Sequence, residues 1–343
     1  MGAAELPVLP TALTGSYPKP VWLRALSRGL KMYENKKRLK LLREAHNDAV
    51  ALVVKELEDL GIDIPTDGEV RRDPVTEYLV KKIYGFKFYG PVRMWGNHYV
   101  MKPVAVDKLR YLGPILVSDY LHLREVARSR IVKVTITGPA TATDWSFNEY
   151  YSSREELMFD LAKIINRELK NLEEAGAEYV QLNETSLLSA PLDLESCVEA
   201  INEAVKGVNI KVGLHIYGYS YERLKPFFDE LEVSQLTLGL AGYSFKYLKV
   251  LDGINKEVGI GVVDVQAYRV EEPDEIIRAV RKAMRYVHPE CIYVNPDSGM
   301  RYLPRAVARR KLKSMIDAVI SLREELKRRG LTAIPLRRTS TCP

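Results

Sequence analysis

Cysteine is scarce: only Cys197, Cys291 and Cys342 occur in 343 residues, so the sequence suggests no disulfide framework. Long apolar runs are missing as well. Stretches such as 49–54 fall far short of the roughly 18 apolar residues needed to span a bilayer. The opening MGAAELPVLP lacks the basic start and long apolar stretch of a secretion signal, so the expected location is cytoplasmic, with no membrane partner. Glutamine appears only as Gln181, Gln235 and Gln266, while Lys, Arg and Glu are abundant, a balance found in heat-adapted proteins. Charge of one sign does not dominate: 51 Lys and Arg against 45 Asp and Glu leave +6. The most basic stretch, 323–338, reads as a solvated helix end and tail, so no nucleic-acid partner is expected. There is no G-x-S-x-G elbow, and the glycines of 213–218 lack the G-x-G-x-x-G spacing, which removes the simplest hydrolase and dinucleotide readings.

What is present is a recurring unit of a short apolar run, a polar loop and an amphipathic helix. Six such units fill the second half, with strands at 133–137, 179–182, 211–216, 235–240, 259–265 and 291–295. The helices after them are expected at 154–175, 194–205, 221–230, 244–254, 274–287 and 303–329. Continuous apolar strands alternating with helices indicate a parallel sheet covered on both faces. The first half adds strands at 9–14 and 62–66, separated by a long helix over 35–60. Eight units predict an α/β fold, a single (β/α)8 TIM barrel spanning 1–343. After the second strand, 82–111 is rich in Tyr, Phe, Trp and Gly and predicts a β-hairpin excursion, either a lid or a purely structural element.

Barrel enzymes assemble their sites at the carboxyl ends of the strands. Here those ends carry Ser16, Glu69, Trp145, Asn183 and Glu184, His215 and Tyr217, Gly239, Asp264 and Gln266, and Asp297 and Ser298. A polar residue at one loop start is often only a helix cap. Eight such ends together favour a ligand pocket. Of the five histidines only His215 lies at a strand end, and no cysteine does, so a zinc site built on thiolates is not supported.

At these ends the sequence resembles the cobalamin-independent methionine synthase family, its catalytic barrel and its short archaeal single-barrel forms. The resemblance rests on five motifs in order: TGSYP at 14–18, DGE at 67–69, GP with WSF at 138–147, QLNETSLL at 181–188 and NPDSG at 295–299. It implies a barrel that moves a methyl group from a methylated pterin, or from methylcobalamin in some short relatives, to homocysteine bound on zinc. Carried over by position, the family's His, Cys, Glu and Cys zinc ligands fall on His215, Tyr217, near Gly239 and on Ser298. Its amino-group-binding Asp falls on Asn183 and its acid His on Gln266, while Glu69, Trp145 and Asp264 match.

The resemblance therefore implies catalytic positions at Asp264, Gln266 and His215. It implies substrate positions at Ser16, Glu69, Trp145, Asn183, Glu184, Tyr217, Asp297 and Ser298. With one zinc ligand of four left, no bound metal is expected, and a methylated pterin or methylcobalamin remains the methyl donor to consider. Three readings stay open: a zinc-free member that still binds the family's ligands, a non-catalytic partner of a paralogous methionine synthase barrel, or a zinc-independent enzyme acting on another small molecule.

Overall fold

The computed structural model describes residues 5–30, 36–72, 75–95, 98–338 and 342. The chain enters through β1 (Glu5–Pro7), then α1 (Val21–Leu30), α2 (Lys36–Leu60) and α3 (Val75–Val80). The expected helix start at 35 lies outside the described residues. The excursion follows as β2 (Ile83–Lys87), β3 (Pro91–Trp95), β4 (His98–Met101) and β5 (Val104–Tyr111), then α4 (Val117–Val126). Next come β6 (Val134–Thr137), α5 (Pro139–Asp144), β7 (Phe147–Asn148), α6 (Arg154–Glu174), β8 (Tyr179–Glu184) and α7 (Leu194–Val205). The last elements are β9 (Lys211–Ile216), β10 (Gln235–Leu238), β11 (Glu257–Val263), α8 (Pro273–Ala283), β12 (Ile292–Pro296), α9 (Arg305–Lys327) and β13 (Ala333–Pro335). Among the described residues no helix is long and apolar enough to cross a membrane.

Six strands form a parallel sheet in the order β12-β11-β10-β9-β8-β6. The ring is completed by the first two predicted strands, which appear as single parallel bridges, Thr11 to Val294 and Ala12 to Ile64. Backbone bonds carry the closure: Ala12 N–H donates to Val294 at 3.0 Å, Ile64 to Thr11 at 2.9 Å, and Lys133 to Pro65 at 2.9 Å. These two staves are short for a physical reason. Pro7, Pro10 and Pro65 have no N–H to donate, and Leu9 sits at φ 52°. The result is the expected eight-stave barrel.

Helix starts follow local chemistry. Ser153 caps α6 by accepting from Glu156 N–H, Asp193 caps α7 through Ser196 N–H, and Glu272 with Glu275 forms a capping box on α8. Two predicted helices are absent as α-helices. Residues 221–230 form 3-10 turns at Tyr221–Arg223 and Lys225–Phe227, where Pro226 interrupts the ladder. Residues 244–254 are replaced by 3-10 turns at Ala241–Tyr243 and Lys246–Leu251, because Ser244 and Phe245 both take positive φ.

The excursion pairs β2 with β5 and β3 with β4, both antiparallel. β5 also runs parallel to β7, immediately after Trp145. Tyr111 on β5 donates to Glu168 of α6 at 2.6 Å, and Leu109 N–H donates to Tyr151 at 2.7 Å. The base of the excursion is thus laced to the barrel wall.

The barrel floor is polar. Lys133, Tyr179, Lys211, Gln235, Glu257 and Tyr293 are buried at or near the amino ends of their strands. Lys211 and Glu257 form an ion pair there, and Arg337 comes within 3.7 Å of Glu257. The tail that brings Arg337 is held by β13 pairing with β1 and by a disulfide between Cys291 and Cys342. This corrects the expectation of no disulfide: the two cysteines are 51 residues apart, and only the returning tail makes them neighbours.

Candidate functional site

On one side of the mouth the first two loops meet the last. Thr66 hydroxyl donates to Gly15 carbonyl at 2.8 Å and Met300 N–H to Ser16 carbonyl at 2.7 Å. Gly299 must be a glycine, because a Cβ there would collide with the Ser16 hydroxyl. Glu69 is buried in the left-handed region at φ 51°. Its Oε1 accepts from Thr135 Oγ1 at 2.8 Å and its Oε2 from Arg301 at 3.2 Å, with Arg72 4.0 Å away. Arg301 was missed at the sequence level. The available signal was a cation three residues beyond Ser298, in the loop after the last barrel strand.

Asn183 is half-buried at the carboxyl end of β8. Its Oδ1 accepts from Gln181 Nε2 at 2.7 Å. Glu184 is fully buried beside it, and its two oxygens accept from Ala140 and Thr141 N–H at 2.9 and 2.7 Å. A Cβ on Gly138 would strike this carboxyl. Glu184, expected to bind substrate, is engaged with the turn that begins α5. Trp145 Nε1 donates to Ser186 at 3.2 Å on the rim.

The opposite wall is built by β9 to β12. His215 is buried, and its Nε2 lies 2.9 Å from the Asp297 carbonyl oxygen. A carbonyl only accepts, so Nε2 carries the hydrogen and only Nδ1 keeps a lone pair. Burial lowers this imidazole to about 4, so it is neutral. Tyr217 oxygen accepts from Gln266 Nε2 at 2.7 Å, and its ring lies 6.3 Å from that of Tyr243. Burial raises the Tyr217 phenol further above its ordinary value.

The Tyr217 ring occupies the space beside Gly239. A Cβ at 239 would lie 2.5 and 2.9 Å from two ring carbons and 3.0 Å from the Asp297 carbonyl. The Asp297 carboxylate accepts from Leu240, Ala241 and Gly242 N–H at 2.8, 2.9 and 2.7 Å. Burial pushes it up to about 7 against those three donors. Asp297, expected to bind substrate, is therefore the anchor of the 240–242 turn. Asp264 accepts from Gln266 N–H at 2.8 Å, and its own N–H donates to Glu271, which Lys311 holds from behind.

The structure thus gathers His215, Tyr217, Asp264, Gln266 and Asp297 on one wall, and Ser16, Glu69 and Arg301 on the other. Ser298 stands half-buried next to Gly299 and Asp297. Among the described residues no group of three or more His, Cys, Asp or Glu is arranged to hold a metal ion.

Glu184 gives a pH test. Its ordinary value is 4.5, and burial raises it to about 7. The folded state therefore favours its protonated form. That contribution is complete below 4.5 and is lost as the pH rises through 7. Glu184→Gln stays neutral throughout, so the stability of the native chain relative to this variant should fall between pH 5 and 8. Chemical denaturation at several pH values measures it; a native chain that holds level with the variant or gains on it as the pH rises would refute the assignment.

The chain matches the family described as "Cobalamin-independent synthase, Catalytic domain" over residues 9–320. It is 49% identical over 341 residues to the methionine synthase of Thermococcus kodakarensis, covering 97% of this chain and 99% of that one. It is 49% identical over 333 residues to the methionine synthase of Pyrococcus abyssi, covering 95% and 96%. A solved structure, the B12-independent methionine synthase of Shewanella sp. W3-18-1 in complex with selenomethionine, has the same fold. Its TM-score is 0.81 at 24% identity, over 94% of this chain and 99% of that one.

Proposed function

Because this chain belongs to the cobalamin-independent methionine synthase family, we propose that it is a methionine-synthase-like barrel whose mouth binds a small acid and a methylated pterin without a resident zinc ion. The family's independence of cobalamin favours the pterin over methylcobalamin as donor. Zinc, where a relative holds it, keeps a bound thiol deprotonated and nucleophilic. The residues here do not fit that ion.

The observation that carries this reading is the Tyr217 ring lodged against Gly239, where no side chain fits beside it. A zinc site needs deprotonated, electron-rich donors. At the four matching positions stand a neutral imidazole with Nε2 already bonded, a phenol raised by burial, a glycine and a serine hydroxyl. None is anionic, so nothing repays the desolvation of a dication. What remains at these four positions is a set of neutral hydrogen-bonding groups. Gln266 fixes the Tyr217 oxygen as an acceptor and leaves its hydroxyl proton to point at a ligand. Trp145 supplies an aromatic edge on the rim for a flat ring.

Metal analysis and calorimetry test this together. The purified chain should carry substoichiometric zinc after mild chelation, and should bind a methylated tetrahydropteroyl compound with an affinity unchanged by added zinc. One tightly held equivalent of zinc, or no binding of the pterin, would overturn the reading.

A further inference from the structure

A line of polar side chains climbs the barrel interior from the floor to the mouth. Lys133 Nζ, fully buried, donates to Gln181 Oε1 at 2.6 Å. Gln181 Nε2 donates to the Thr14 carbonyl at 2.5 Å and to Asn183 Oδ1 at 2.7 Å. Each bond fixes the next. An amide offers one oxygen and one NH2 group, and the Thr14 carbonyl can only accept. Turning Gln181 over would set its oxygen against that carbonyl, two acceptors face to face. Gln181 is therefore held one way round, and its NH2 forces Asn183 to present Oδ1 downward. The Asn183 NH2 is left at the mouth, with no protein partner among the described residues.

Its surroundings determine what it can hold. An atom placed over Gly15 would lie 3.1 Å from Glu69 Oε1 and 3.8 Å from Asn183 Nδ2. These two groups border one small space. The Glu69 carboxylate is balanced by Arg301 at 3.2 Å, while Arg72, 4.0 Å away, is paired more closely with Asp67 at 3.4 Å. An ammonium entering here would meet an NH2 donor and a guanidinium, with no uncompensated negative charge to receive it. An oxygen would meet donors. Arg301 uses one N–H on Glu69 and has others in its planar fork for a carboxylate.

We propose that the Lys133–Gln181–Asn183 column sets the specificity of the mouth, so that it takes a small carboxylic acid bearing oxygen at C2, a 2-hydroxy or 2-oxo acid, in preference to the matching 2-amino acid. The inference rests on the reading that the mouth binds a small acid. Asn183 touches the ligand, whereas Lys133 and Gln181 are positioning residues that act through it.

Calorimetry with 2-hydroxy-4-(methylthio)butanoate and L-methionine, which differ only at C2, is the test. The hydroxy acid should bind the native chain at least about tenfold more tightly, the scale of one well-placed hydrogen bond. Asn183→Asp should reverse that order. Gln181→Met frees Asn183 to rotate and should bring the two affinities together, an effect that simple loss of packing would not produce. Should Gln181→Met fail to fold, the ligand pair on the native chain and on Asn183→Asp still decides. Methionine bound more tightly than the hydroxy acid by the native chain overturns the proposal alone. Silence toward both acids overturns it together with the small-acid reading it rests on.

Discussion

Lys211→Met is expected to destabilise the fold by about 3–5 kcal/mol, the usual cost of leaving one partner of a buried ion pair alone. Lys211 and Glu257 are 0% and 1% exposed and pair with each other on the barrel floor. The lysine also lies 4.8 Å from the Tyr293 ring and 5.3 Å from the Tyr179 ring. Removing it leaves the Glu257 carboxylate with the Tyr293 hydroxyl, which donates to it at 3.3 Å, and with Arg337 at 3.7 Å as the nearest remaining cation. The double change Lys211→Met with Glu257→Met removes both charges and should recover most of the loss, because the desolvation cost disappears with them. Denaturant midpoints of the native chain, the single variant and the double variant measure this. A single variant within 1 kcal/mol of the native chain would show that Arg337 already supports Glu257 alone, an outcome judged against the same scale.

Asp297→Ala should be almost as costly and should act on the site. The buried N–H of Leu240 and the part-buried N–H groups of Ala241 and Gly242 lose their acceptor at once, at about 1–3 kcal/mol for each that stays unsatisfied. Release of the buried carboxylate offsets part of this, so a net loss of about 3 kcal/mol is expected. The 240–242 turn should then exchange its amide hydrogens rapidly, and ligand binding at the mouth should weaken, since that turn backs Tyr217 and Tyr243. Asp297→Asn keeps one acceptor oxygen and should lose less. Hydrogen exchange at these three amides is the direct readout; protection equal to that of the native chain would mean that water or another group replaces the carboxylate.

Much of this architecture was legible in the residues because the burial pattern is strong. β9 occupies the predicted 211–216, and every one of its residues is buried, as a parallel strand between two layers requires. The excursion over 82–111 was legible from its aromatic and glycine content. The first two staves were legible as positions but not as strands, because prolines leave them a single bridge each. The helices expected at 221–230 and 244–254 were misread for a related reason: apolar spacing looked helical, but Pro226 and two residues with positive φ break the ladder.

At the site, the rule that polar groups gather at strand carboxyl ends located the right walls. It could not tell a side chain open to a ligand from one already engaged with backbone. Glu184 and Asp297 are of the second kind, since the amides they hold come from loops whose geometry no spacing reveals. Lys133 escaped notice because it lies below the strand ends, and the Cys291–Cys342 bond because it depends on where the tail returns.

The packing of Tyr217 on Gly239 also orders the steps by which this wall can change. While the aromatic ring stays, any substitution at 239 collides with it, so selection sees only harm in a new side chain there. The ring must leave first, and its departure opens a hole that is itself penalised until something fills it. Two positions distant in sequence but touching in space thus lock one another, and a lineage that has crossed into this arrangement meets a barrier on the way back that neither position would raise alone.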